Sequence, residues 1–98
     1  MIQNFRIEEG IIYIEQDDII VPMLPDSLAC VSVGGSGDPE TQEIGITGFL
    51  LKDSSIIFSK SSENISVAEL ARRLGFTIKK KDHCFSLIPK EIPNNDKD

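Results

Sequence analysis

Only one stretch of this chain carries both a helix start and a helix stop, and that fact most limits what the chain can build. Ser66-Val67-Ala68-Glu69 has the capping-box pattern, in which the Ser66 hydroxyl meets the amide of Glu69 and the Glu69 carboxylate reaches back to the amide of Ser66. Ile65 before the cap and Leu70 after it have the spacing of a hydrophobic staple. Val67, Leu70, Ala71 and Leu74 recur at the i, i+3, i+4 and i+7 positions of one apolar face. Arg72 and Arg73 suit the carbonyl end of the helix dipole, and Gly75 can make the left-handed exit. The pattern predicts a helix of about two turns over Val67 to Leu74.

Everything else is short apolar runs broken by turn residues. Gln3 to Ile7 and Ile11 to Glu15 flank Glu8-Glu9-Gly10 and read as a hairpin, followed after Gln16-Asp17-Asp18 by Ile19-Ile20-Val21. Pro22 and Pro25 lack a ladder donor, so that third strand must end there or lie on a sheet edge. Leu28 to Val33 reads as a half-buried strand with Leu28, Cys30 and Ser32 on one face and Ala29, Val31 and Val33 on the other. Ile44 to Leu51 and Ser55 to Ser59 make the next hairpin, with Gly45 and Gly48 marking a bulge or a close approach, and Ser59 to Glu63 reads as a polar connector. After the helix, Phe76 to Lys80 and His83 to Ile88 form a last hairpin ended by Pro89. The expected fold is therefore α+β: a small, mainly antiparallel sheet of about six to eight short strands, one helix near 66–75, and a C-terminal hairpin. At 98 residues one core is all the chain can bury, so residues 1–90 are read as one domain and the polar residues 91–98 as a disordered tail.

Composition fits a folded chain, with 40% apolar and 27% charged residues. No apolar run approaches a bilayer span, and MIQNFRIEEG has neither the basic start nor the apolar stretch of a signal peptide, so a cytoplasmic location and no membrane contact are expected. Cys30 and Cys84 are then read as buried small hydrophobes, and the Asn64-Ile65-Ser66 sequon carries no weight. The net charge of −6 is uneven: residues 1–63 carry eleven acids and three bases, residues 64–98 five acids and seven bases. An acidic majority disfavours general phosphate binding but leaves room for one basic patch.

The catalytic constellations fail one by one. Gly35-Ser36-Gly37 lacks the Gly-x-Ser-x-Gly elbow, and the single histidine is His83. No lysine follows the glycines as a phosphate loop requires, and Asp38 and Glu40 repel an anion at any nest formed by Gly34 to Gly37. Glu43 stands where a calcium loop after Asp38 needs its glycine, and the cysteines lack zinc-ligand spacing. Glu8-Glu9 and Asp17-Asp18 fall in turns, where acids are usually solvated. No metal, no cofactor and no catalytic residue is expected on these grounds, and an enzyme is disfavoured.

Two features remain. Gly34, Gly35, Gly37 and Asp38 define the longest irregular loop, read as the most mobile part of the chain and the loop on which function would sit. Arg72, Arg73, Lys79, Lys80 and Lys81 fall on adjacent elements and would make one anion or nucleic-acid contact surface, set against the plainer reading of dipole, Glu69–Arg73 pairing and edge protection. Ala68 to Phe76 looks like the first helix and turn of a helix-turn-helix, until Lys81 falls where a second helix would bury an apolar residue. Continued through His83, the same stretch is similar to HicA-type toxin ribonucleases over about a fifth of the chain, with Lys81-Asp82 in place of that family's Gly-Ser. That resemblance would make His83 catalytic. The leading expectation is a small acidic protein-interaction module of inhibitor, immunity or adaptor type with a protein partner. The alternatives are a nucleic-acid-binding or RNA-cleaving module using the basic helix-hairpin patch, and a homodimerising structural domain.

Overall fold

The structure is a computed structural model in which residues 3 to 90 are described; the tail expected at 91–98 lies outside them. Its strands are β1 (Gln3–Glu8), β2 (Ile11–Gln16), β3 (Ile19–Met23), β4 (Leu28–Gly34), β5 (Ile46–Leu51), β6 (Ile56–Ser61), β7 (Phe76–Lys80) and β8 (Cys84–Pro89), with α1 (Val67–Leu74) between β6 and β7. All eight strands join one sheet in the order β3-β2-β1-β6-β5-β4-β8-β7. The small, mainly antiparallel α+β fold read from the sequence is the fold observed.

Turn chemistry sets the registers. Glu9 and Gly10 both take positive φ, 53° and 79°, as a two-residue hairpin turn of mirror type requires, and Glu8 faces Ile11 across it. Asp17 takes φ 56° in the second two-residue turn, where Gln16 faces Ile19. Alternation then points Phe5, Ile7, Ile12, Ile14 and Met23 to one side of the sheet, where all are buried.

The sheet cannot be flat. β3 and β4 lie five places apart, about 24 Å at the usual strand spacing, yet Met23 and Leu28 are only five residues apart, a reach of at most about 18 Å. The sheet therefore rolls until the β3 edge approaches the β5–β6 turn, a closure recorded by the Lys52 amide donating to the Ser27 carbonyl at 2.9 Å. A short 3-10 turn over Pro25–Ser27 makes the crossing. The hydrophobic core lies on the concave side, where α1 contributes Val67, Leu70, Ala71 and Leu74 and the strands contribute Val31, Val33, Phe49, Phe85 and Leu87.

Two expectations are corrected. Ser59 to Ser61 is not a connector but the end of β6, and it forms the one parallel seam of the sheet, Gln3 facing Ser59 and Phe5 facing Ser61. Ser59 is buried because its hydroxyl donates to the Gln3 carbonyl at 3.0 Å, and its small size lets Phe5 and Phe49 meet edge to face at 5.0 Å on either side of β6. In β4 a bulge lies between Leu28 and Cys30, so Leu28 joins Val31 and Val33 in the core while Cys30 and Ser32 turn away. In β5, where a bulge or a close approach was expected, Gly48 is the close approach, since an added Cβ would stand 3.3 Å from the Phe58 ring.

Candidate functional site

The basic cluster divides once its partners are seen. Arg72 reaches Glu40 at 3.2 Å and Glu69 at 3.2 Å, and Arg73 reaches Glu63 at 2.9 Å and Glu69 at 3.1 Å. Glu40, then Glu69, raise Arg72 above the ordinary arginine pKa, Glu63 and Glu69 do the same for Arg73, and Arg73, then Arg72, hold the Glu69 carboxyl below its ordinary value. Arg6, on the other half of the chain, is paired with Glu8 and Glu15 and lies 4.9 Å from the Tyr13 ring centre. Every arginine among the described residues is thus engaged by carboxylate. Lys79, Lys80 and Lys81 are exposed and carry no ion pair among the described residues, with Lys79 and Lys80 on opposite faces of an edge strand. After Gly75 comes strand β7, so Ala68 to Phe76 does not open a helix-turn-helix. His83 is exposed in the β7–β8 turn, where its carbonyl accepts from the Gly35 amide at 3.1 Å.

The glycine loop is held at Gly35, whose amide donates to the His83 carbonyl, and again from Asp38 to Gln42. Asp38 organises a turn through the amides of Glu40, Thr41 and Gln42, and the Pro39 and Gln42 carbonyls accept from Ala68 and Val67 at 2.9 Å each. With Ser66 Oγ accepting from Glu69 at 3.0 Å and the Ser66 carbonyl from Leu70, the first amides of α1 all have partners. The turn that Asp38 holds therefore brings the Pro39 and Gln42 carbonyls to the helix terminus, and no donor of that first turn is left to point at an anion. The Glu69 half of the expected capping box is missing because both arginines claim its carboxylate. Gly75 makes the left-handed exit at φ 75°.

The cysteines are free and half-exposed rather than buried, since Cys30 and Cys84 sit on the sheet face away from the helix. Among the described residues no three His, Cys, Asp or Glu side chains gather in a way that would hold a metal ion. That open face also carries Ile46, Ile56 and Phe58, each more than half exposed, with the Phe58 ring beside Gly48.

The second exposed apolar region is the β3 edge. Ile19, Ile20 and Val21 are 64%, 52% and 49% exposed, and Leu24 just beyond the strand is 55% exposed. Asp17 and Asp18 lie at one end and Asp26 at the other, and no charged residue falls between Ile19 and Leu24. Because the two-residue turn makes Gln16 and Ile19 a hydrogen-bonded pair, alternation gives Val21 and Met23 the bonds to β2 and leaves the backbone of Ile20 and Pro22 aimed at the free edge. Pro22 is tolerated there because its missing N–H is not needed. Behind the strand, inside the roll of the sheet, lies an open apolar trough of about 310 Å³ walled by Ile14, Val21, Met23, Leu51 and Ile57, with Gln3 and Gln16 adding polar groups. From sequence, Pro22 marked this strand as an edge; the trough was invisible because it is made by the roll.

No family model, curated protein or solved structure matches this chain.

Proposed function

We propose that this chain is a small protein-interaction module that engages a basic protein partner through its acidic half, residues 1–63. The observation that carries the reading is the apolar β3 edge framed by Asp17, Asp18 and Asp26, three acids that form no ion pair among the described residues. Apolar contact area supplies affinity in such an interface, and framing charge supplies orientation and partner choice. The arginines that would oppose this field, Arg6, Arg72 and Arg73, are each neutralised in place.

The test is capture from source-cell lysate at low and high salt, with and without nuclease, comparing the wild-type chain with the double reversal Asp17→Lys, Asp18→Lys. The reading expects a stoichiometric protein that survives nuclease, leaves at high salt and is lost with the double reversal. Retention of a nucleic acid instead would favour the second reading, which rests on Lys79, Lys80 and Lys81 carrying no ion pair beside His83. In that case Lys79→Glu, Lys80→Glu and Lys81→Glu together abolish oligonucleotide retention while the thermal transition stays in place. Capture unaffected by salt and by charge reversal would end the first reading.

A further inference from the structure

We infer that β3 receives an extended segment of its partner as a ninth strand, one with apolar alternate side chains and basic ends. This rests on the interaction-module reading above and gives it a site. The two edges of the sheet are treated differently. β7 carries Lys79 and Lys80 within the strand, the charge that normally discourages pairing, whereas β3 has none from Ile19 to Met23. The β3 edge offers three backbone groups to a newcomer: the Ile20 N–H, the Ile20 carbonyl and the Pro22 carbonyl. A strand laid there sends every second side chain to the concave side, next to Val21 and over the trough reaching to Leu51 and Ile57. Backbone bonds of this kind give affinity and the pocket for alternate side chains gives selection, the division of labour in strand-addition recognition. Asp17 and Asp18 at one end and Asp26 at the other then set the sign of the flanking residues as positive. The same charge argues against a second copy of this chain, which would bring another net −6 to the contact.

The probe is an end-blocked peptide, Lys-Lys-Val-Thr-Val-Thr-Lys-Lys, titrated into the full chain and followed by amide NMR shifts and hydrogen exchange, beside a control with Glu in place of every Lys. Binding by the basic peptide alone is expected, with slowed exchange at the Ile20 amide and shifts confined to β3, Leu51 and Ile57. Ile20→Pro removes the one outward donor without touching the bonds to β2, and weakens the peptide by at least about fivefold, the worth of one hydrogen bond. Val21→Asp, which places a carboxylate on the trough wall, weakens it likewise and covers the case in which Ile20→Pro disturbs β3. Phe58→Ser leaves binding unchanged. Equal binding of both peptides, binding insensitive to Ile20→Pro and Val21→Asp, or no binding at all would overturn strand addition, as would β3 shifts that depend on protein concentration without peptide. If the peptide fails while charge-sensitive capture of a protein persists, the module reading stands and its contact lies elsewhere.

Discussion

Several residues carry more of the structure than their type suggests. Glu9, at φ 53°, occupies the first position of a turn that favours asparagine followed by glycine, and Gly10 already fills the second. Glu9→Asn is therefore expected to stabilise the chain by about 0.5–1 kcal/mol, seen as a higher urea midpoint at unchanged slope. Ser66→Ala removes the acceptor for the Glu69 amide and is expected to destabilise by about 1 kcal/mol in the same measurement. Glu69 gives a pH signature. Its carboxyl is held below the ordinary value by Arg73 and Arg72, so its contribution is full above about pH 4.3, the usual glutamate value, and fades as pH falls through the lower folded value. Glu69→Gln should lower stability slightly at neutral pH, by little because these pairs are solvent-exposed, and match the wild-type chain once the carboxyl is protonated, so the acid limb of its profile is flatter.

At the scale of elements, what the sequence showed and what it hid divide along the range of the interactions. The helix was legible from Ile65 to Gly75 because its cap, its apolar face and its glycine exit are all local, and the hairpin turn at Glu9-Gly10 for the same reason. β6 was misread at its end because Ser59 and Ser61 are polar, and only Gln3, far away in sequence, gives the Ser59 hydroxyl its partner. The bulge in β4 was likewise unreadable, since Cys30 and Leu28 alternate correctly on paper and the extra residue exists only against β5. The β3 edge supplies a paired prediction: Val21→Pro deletes a bond to β2 and lowers the thermal midpoint, while Ile20→Pro, one residue away, leaves it nearly in place. Circular dichroism melts of the two variants decide it, and similar losses in both would refute the assigned register.

Across the whole molecule, 50 Å long and 25 Å thick, the charges divide into a set held in ion pairs and a set without ion partners among the described residues. The paired set includes every arginine; the unpaired set is mostly acid on the β1–β3 half and lysine at β7. Arithmetic on the sequence found the two electrical halves and its spacing showed the Glu69–Arg73 pair, but the reach of Arg72 to Glu40 and of Arg73 to Glu63 was not visible in the linear order. Candidate residues were legible by type, and the trough behind β3 was not, since its lining comes from five strands brought round by the roll.

The parallel seam between β1 and β6 has a consequence during synthesis. A ribosome completes the β1–β3 meander long before it reaches Ile56–Ser61, and at about 5–20 residues per second the delay is roughly two to eight seconds. Throughout that time Phe5, Ile7, Ile12 and Ile14 have no α1 to cover them and no β6 to bring Phe49 alongside, and the nascent chain offers an apolar surface with an unpaired strand at each side. The first half of this protein waits for the second, and whatever shields it in that interval helps decide how much of it reaches the folded state.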